Sequence, residues 1–434
     1  MKRYLTIFMF VGCLVNGVKG QDGILSLTDC IQLAIKNNPT LMRDELSVSR
    51  AELAYKQAQY DRLPSLNGSL SHDLSQGRSI DPTTNQYIDN NNSSGSQSLN
   101  LSIPVFNGFS IIHDIRMKSN ATQAGKLEFE GLQNNLKLDV IEAYVKVLTS
   151  QDILKQVENR LTVTQEQLHR NEVLNKEGAI APGDLYDMRG QYGSELNELE
   201  LTKQSLNNAK IDLAGILNIP VQSLPAIQPL EIPSEFNALS SESLFEQSQL
   251  ALPQFRAMDW RIREMEQLIK VSRADYYPSL SLNGGLGSNY SKGNGNTFTQ
   301  IKNNLNKGVG ITLSIPIFNA FRTRTNVRLA KIELEQANFN KEILGNELRM
   351  ETARAVFDLK INQLNVKNLR EQEINYKEAF RIATVLYEEG NSNSVLYLTA
   401  KNKLDNARSQ LIIKQYELLM QKYINDYYAG SLDL

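Results

Sequence analysis

The 434-residue sequence is 41% hydrophobic and 22% charged, a balance that supports packed structure and excludes wholesale disorder. Its 46 Lys and Arg against 48 Asp and Glu leave a net charge of -2, which provides no electrostatic footprint for nucleic acid or anionic lipid. Two cysteines are too few for a disulfide framework or a zinc cluster.

The N-terminus reads Lys2-Arg3, an apolar stretch from Tyr4 to Val15, then Val18-Lys19-Gly20. This is the pattern of a signal peptide over residues 1–20, with the mature chain starting at Gln21. The alternative is the lipobox-like Phe10-Val11-Gly12-Cys13, which would place a lipid on Cys13, although Phe10 fits that pattern poorly. Past this segment no apolar run approaches the ~18 residues a membrane-spanning helix needs. Entry into a membrane would therefore require β-strands.

The rest of the chain is written twice. Pro39 and Pro253 correspond, as do Leu63-Pro64-Ser65-Leu66 and Tyr277-Pro278-Ser279-Leu280. Further on, Leu101-Ser102-Ile103-Pro104-Val105-Phe106-Asn107-Gly108-Phe109 matches Leu313-Ser314-Ile315-Pro316-Ile317-Phe318-Asn319-Ala320-Phe321. Val173-Leu174 with Glu177-Gly178 matches Val385-Leu386 with Glu389-Gly390. The first repeat spans residues 21–218 and the second 241–434. Residues 219–240, with Pro220, Pro225, Pro229 and Pro233, form a linker that no helix can cross.

Each repeat predicts a short helix (28–38; 241–252), a medium helix (40–63; 254–277) and two strands (65–74 and 97–106; 279–288 and 308–317). Polar Asn/Ser/Gly-rich loops separate the strands at 75–96 and 288–307. A long helix (110–176; 321–388) and a returning helix (184–217; 395–428) complete each repeat. In the strands Leu99, Leu101, Ile103 and Val105 share one face, as do Val309, Ile311, Leu313, Ile315 and Ile317, while Ser, Asn, Gly and Thr hold the other. Ten-residue strands with that alternation suit a transmembrane β-barrel, and equally a soluble sandwich with one wet face. Phe106, Phe109, Phe318 and Phe321 just past the strands favour the membrane, as an interfacial aromatic girdle. Four strands cannot close a barrel, so the membrane reading demands oligomerisation.

The second long helix carries two apolar seams: Val327, Ala330, Leu334, Ala337, Leu344 and Leu348, then Leu329, Ile332, Phe339, Ile343, Met350, Ala353 and Phe357. Two seams suit a curved palisade with neighbours on both sides, or alternatively a solid bundle or fibrous rod. A secreted structural or adhesive coiled-coil protein is the rival reading. His72, His113 and His169 lack metal spacing, Gly284-Gly285-Leu286-Gly287 sits inside a strand, and no catalytic constellation is present, so neither enzyme, cofactor nor metal is expected.

Beyond these readings, the Leu-Pro-Ser-Leu and Tyr-Pro-Ser-Leu strand entries, the paired Ser-Ile-Pro-(Val/Ile)-Phe-Asn exits and the hairpin turns at 177–185 and 389–396 resemble the TolC family of outer-membrane efflux proteins over nearly the whole mature chain. That resemblance implies a mainly α chain with a small β part. Three copies would form a 12-stranded barrel in outer-membrane lipid, continued by a helical coiled-coil barrel through the periplasm. It implies a passive exit duct for efflux or type I secretion, docked to a periplasmic adaptor (membrane fusion protein) and an RND or ABC-type inner-membrane pump. Adaptor contact would fall on Gly178, Ala181, Pro182, Gly390, Ser392 and Ser394. Relatives place aspartates six and nine residues past the second tip glycine, where this chain has Leu396 and Thr399. The first repeat keeps Asp184 and Asp187 at those offsets, so Asp184, Asp187 and Leu396 are the expected constriction. A carboxylate stabilised by a helix N-terminus is the plainer reading of both aspartates.

Overall fold

The computed structural model describes residues 24–80, 84–89, 92–232, 236, 239–291 and 296–432. The expected signal peptide and Cys13 lie outside the described residues, as does Pro233 of the linker.

In the first repeat Ser26 opens helix α1 (Leu27–Asn37) with a capping box to Asp29. Asn38 then caps α2 (Pro39–Tyr60), whose first turn begins with Pro39 because that position has no hydrogen bond to lose. Strand β1 (Ser65–Ser75), a small hairpin of β2 (Arg78–Ile80) and β3 (Tyr87–Asp89), and β4 (Asn92–Asn107) follow. Helix α3 (Ser110–Lys176) and the returning α4 (Pro182–Leu217) close the repeat.

The second repeat runs α5 (Ser241–Ala251), α6 (Pro253–Ala274), β5 (Ser279–Ser291), α7 (Thr297–Asn303), β6 (Asn306–Ser314), α8 (Arg322–Glu388) and α9 (Ser394–Ala429). Both long helices contain 67 residues, about 100 Å at 1.5 Å per residue.

Four strands form one antiparallel sheet in the order β1-β4-β5-β6, and β2 pairs only with β3. The helices attached to those strands keep the same order, because α2 packs on α3, α3 on α6, and α6 on α8. Beyond them α4 packs on α3, and α9 bridges α3 and α8. The wall is therefore four helices wide at both levels, with α2 succeeded by α4 and α6 by α9.

Each strand-to-helix corner holds two consecutive residues in the left-handed region, Gly108 and Phe109 at φ 62° and 68°, Ala320 and Phe321 at 53° and 60°. A bulky residue rarely adopts this conformation. Here edge-on ring pairs hold it, Phe106 with Phe109 at 5.1 Å and Phe318 with Phe321 at 5.5 Å.

The largest apolar core lies where α1 and the linker lie against α3 and α4, around Ile31, Val140, Ile141, Leu213 and Leu217. Buried Tyr144 shares its hydroxyl proton between the carbonyls of Gln228, 2.6 Å away, and Leu25, 3.1 Å away. Beside them Leu25 and Ile227 form a parallel bridge, which pins the linker to the chain's first described residues. A one-turn helix at Val221–Ser223 stands near the start of the linker.

Three expectations need correction. The second strand of the second repeat ends at Ser314, so Ile315 and Ile317 lie outside it. Beyond Ser314 lies Pro316, which has no N–H to donate, and strand β5, the one neighbour of β6 among the described residues, has reached its own end at Ser279. In the first repeat β4 has partners on both sides and continues past Pro104 by a bulge to Asn107. The loops expected at 75–96 and 288–307 also carry structure, the β2-β3 hairpin in one and α7 in the other. Lastly, the returning helix α9 starts at Ser394, one residue before the expected 395, because the Asn393 side chain accepts the Leu396 N–H and caps it.

Candidate functional site

Cross-strand register divides the sheet into two chemical faces. On one, Ser69 and Ser98 hydroxyls lie 2.8 Å apart, as do those of Ser71 and Ser96. Ser102 donates to Asn283 at 3.1 Å, and Asn283 donates in turn to Thr312 at 3.0 Å. A hydrogen-bonded polar ladder thus crosses all four strands. On the other face Leu66, Leu70, Leu74, Leu99, Val309, Ile311 and Leu313 are exposed, while Leu101 and Ile103 are half-buried. Ile315 is exposed beyond the strand end.

The polar backbone of the outer strands is equally unfinished. Strands β1 and β6 each have one neighbour, which leaves a row of N–H and C=O groups without ladder partners on either edge.

The helical wall has bare flanks in register with those edges. On α8 the first predicted seam is filled within the chain: Val327, Ala330 and Leu348 are buried, Leu334, Ala337 and Leu344 half-buried. The second seam is not. Leu329, Ile332, Phe339, Ile343, Met350 and Phe357 are between 51% and 63% exposed, a continuous apolar stripe that none of the described residues covers. At the opposite flank Met42, Leu46 and Leu53 of α2 are bare as well.

At the far end of the helices two hairpins form the tip. Gly178 at φ +73° and Gly390 at φ +75° turn the chain, and Ala179 N–H and Asn391 N–H close the last turns onto Leu174 and Leu386. Ala181 and Pro182 are exposed and Ser392 is half-buried. Asp184 accepts the Ser394 N–H and Asp187 accepts the Ser394 hydroxyl, both at 2.8 Å. Ser394 is buried by these contacts, so the two aspartates tie one repeat's hairpin to the other's. Leu396 is 61% exposed. Above them Asn171 donates to the Tyr387 hydroxyl at 2.7 Å, and Tyr387 stacks on Tyr397. Burial pushes the phenols of Tyr387 and Tyr397 upward, and for Tyr387 the Asn171 contact opposes it.

A buried ionic network farther up the wall escaped the sequence reading. Lys401 of α9 donates to Glu195 of α4 at 2.7 Å and to Asp405 at 3.0 Å. Arg160 of α3 lies 3.8 Å from the same Glu195 oxygen and pairs with Glu198. Lys401, Glu195, Asp405 and Arg160 side chains are all at most 8% exposed. Burial raises the Asp405 carboxyl pKa, opposed by Lys401. The only local sequence signal is the four-residue spacing of Lys401 and Asp405, which is commonplace on solvated helix faces.

Among the described residues no helix is long and apolar enough to cross a membrane, and no His, Cys, Asp and Glu group could hold a metal ion. His72 and His113 instead make side-chain hydrogen bonds, to Tyr290 at 2.8 Å and Gln267 at 3.0 Å.

A strand wall with one apolar and one polar face, continued strand by strand into a palisade of long helices, defines an outer-membrane channel protein with a periplasmic helical extension. The chain belongs to the outer membrane efflux protein family, whose model matches residues 30–218 and 244–422. Members of this family are channels, not enzymes. It is 23% identical over 434 residues to the outer membrane protein TolC of Vibrio cholerae, covering 97% of this chain and 93% of that one. It is 25% identical over 398 residues to the pyoverdine export outer membrane protein OpmQ of Pseudomonas putida, covering 88% and 81%. Its fold superposes on the Campylobacter jejuni CmeC outer membrane channel with a TM-score of 0.82 at 21% identity, covering 94% of this chain and 86% of that one. The rival reading as a secreted adhesive coiled coil finds no support in these matches.

Proposed function

We propose that three copies of this chain close into one conduit. Their twelve strands would form the barrel, and their twelve helical positions a tube carrying cargo passively to the cell exterior. The observation behind this reading is the coincidence of unpaired sheet edges with bare helix flanks on the same two sides of the wall. A second copy's β1 and α2 would meet the β6 edge and the apolar stripe of α8. Two copies would give eight strands, whose interior side chains fill the barrel, whereas twelve leave a wet lumen behind the Ser/Asn ladder.

The tip residues Gly178, Ala181, Pro182, Gly390, Ser392 and Ser394 would dock to a periplasmic adaptor, which joins the duct to an RND or ABC-type pump. Asp184 and Asp187, with Leu396 nearby, would set a cation-attracting constriction when three copies meet. Since Ser394 engages one oxygen of each carboxylate, the second oxygen remains for the lumen.

The test is twofold. Asn67→Cys in β1 with Thr312→Cys in β6 should give oxidised trimers and no larger ladder from detergent-extracted outer membranes; monomers alone, or an open ladder, reject the closed wall. Single-channel recordings of Asp184→Ala should show weaker cation block, and unchanged block removes Asp184 from the constriction.

A further inference from the structure

Helix α7 is not expected of a simple loop, and its position is specific. At the end of the sheet away from the helices, β5 runs past β6, whose first paired residue is Asn306 opposite Gly287. From there α7 serves the bare edge of β5. The Gln300 side chain accepts from the Ser291 N–H and donates to its carbonyl, both at 2.9 Å. Asn304 donates to the Asn289 carbonyl at 2.9 Å. Ser288 donates to the Ile301 carbonyl at 2.6 Å. Ser288 belongs to the same side of the sheet as Leu286 and Leu99, so this last bond holds Ile301 at the apolar face, while Asn304 also reaches the Asn289 side chain of the Ser/Asn face.

The result is a groove of about 420 Å³ between α7 and three strands of its own chain, lined by Leu70, Leu99, Leu286, Ile301 and Leu305, with Ser288 at its base. It lies on the outer wall of a protein of the outer membrane. Phe298 is 83% exposed on α7, a position suited to the interface between headgroups and acyl chains. At the same end of the same face, His72 and Tyr290 pair at 2.8 Å, marking that level with polar aromatic tips. Two exposed cations adjoin lining residues: Lys302 follows Ile301 on α7, and Lys307 is paired opposite Leu286 on the same face. Among the described residues neither is in an ion pair.

We propose that this groove seats one acyl chain of a phosphate-bearing outer-leaflet lipid, whose headgroup phosphate rests against Lys302 and Lys307. Apolar walls take the hydrocarbon, and the two ammonium groups supply the charge an anionic headgroup needs. Helix α7 thereby clips each chain to the outer leaflet at a fixed depth. The proposal rests on the apolar face being the lipid-facing wall, and assembly and conductance measured on the same samples separate its failure from failure of that reading.

The experiment is native mass spectrometry of the full-length protein released from phosphatidylglycerol vesicles into detergent. Wild-type protein should retain one lipid per chain. Ser288→Trp, which fills the groove, should retain none. Lys302→Gln with Lys307→Gln, both surface changes that leave the fold intact, should retain about tenfold less at equal lipid concentration. Excess inorganic phosphate should not displace the lipid. A wild type that conducts but retains no lipid overturns the proposal. So does undiminished retention by the double lysine variant, or full displacement by phosphate alone.

Discussion

Replacing Lys401 by Met would leave Glu195 and Asp405 facing each other in a dry site. The Lys401 ammonium is the nearest cation to both, at 2.7 and 3.0 Å, and Arg160 stands 3.8 Å from Glu195 and is already committed to Glu198. Removing one partner of a buried pair typically costs about 3–5 kcal/mol because the other charge stays unsolvated. In domains of about 150–250 residues each kcal/mol moves the melting temperature by about 2–4 °C, and by roughly half that in a chain about twice as long, so this variant should lose on the order of 5 °C.

The effect should depend on pH. Burial raises the Asp405 pKa, and Lys401 holds it down. A carboxyl with a raised folded-state pKa favours folding most when protonated, and that contribution fades as pH rises through the folded value. Without Lys401 the pKa climbs further. Lys401→Met should therefore be clearly destabilised at pH 8 and much less so at pH 5, where Asp405 can take a proton. Differential scanning fluorimetry in detergent at both values measures this. Equal melting temperatures for variant and wild type at pH 8, or the same deficit at both values, would refute the assignment of this network as a clamp between repeats.

Other outcomes follow from the same structure. Gly178→Ala and Gly390→Ala should each cost about 1 kcal/mol from backbone strain alone, since an added methyl meets nothing within 4 Å; faster hydrogen exchange confined to the tip amides is the readout. Tyr144→Phe should lower stability by about 1–2 kcal/mol by stranding the Gln228 carbonyl, while the Leu25 carbonyl keeps the Gln228 N–H, and would appear as loosened exchange in the linker. The wild-type Tyr144 phenol, pushed up to about 12 mainly by burial, should stay protonated through an ultraviolet titration to pH 11. Met350→Asp with Phe357→Asp puts charge on the bare α8 stripe and should convert assemblies to folded monomers by light scattering in detergent.

Much of this protein is legible in its sequence. Duplicated Pro-Ser-Leu and Ile-Pro-(Val/Ile)-Phe-Asn segments located corners because proline and period-two alternation act through neighbours in sequence. Elements whose cause is a distant partner were not legible. β6 stops at Ser314 because β5 has ended, and α7 forms over an edge that β6 leaves uncovered. Asp184 and Asp187 stand out in the sequence only through the family resemblance, and their bonds to Ser394 join residues more than 200 positions apart. The Lys401, Glu195, Asp405 and Arg160 network gave almost no signal, because on a helix surface each residue reads as solvated until the third helix arrives.

By itself the sequence determined where the duplicated helices and strands lie and which face of each is apolar, since those properties depend on periodicity and local sterics. Only the tertiary structure decided which seam of α8 is filled and which stays bare, where the sheet leaves its edges open, and which charges lose their water. Those outcomes depend on what packs alongside, and no periodicity within a single element records the identity of its neighbour.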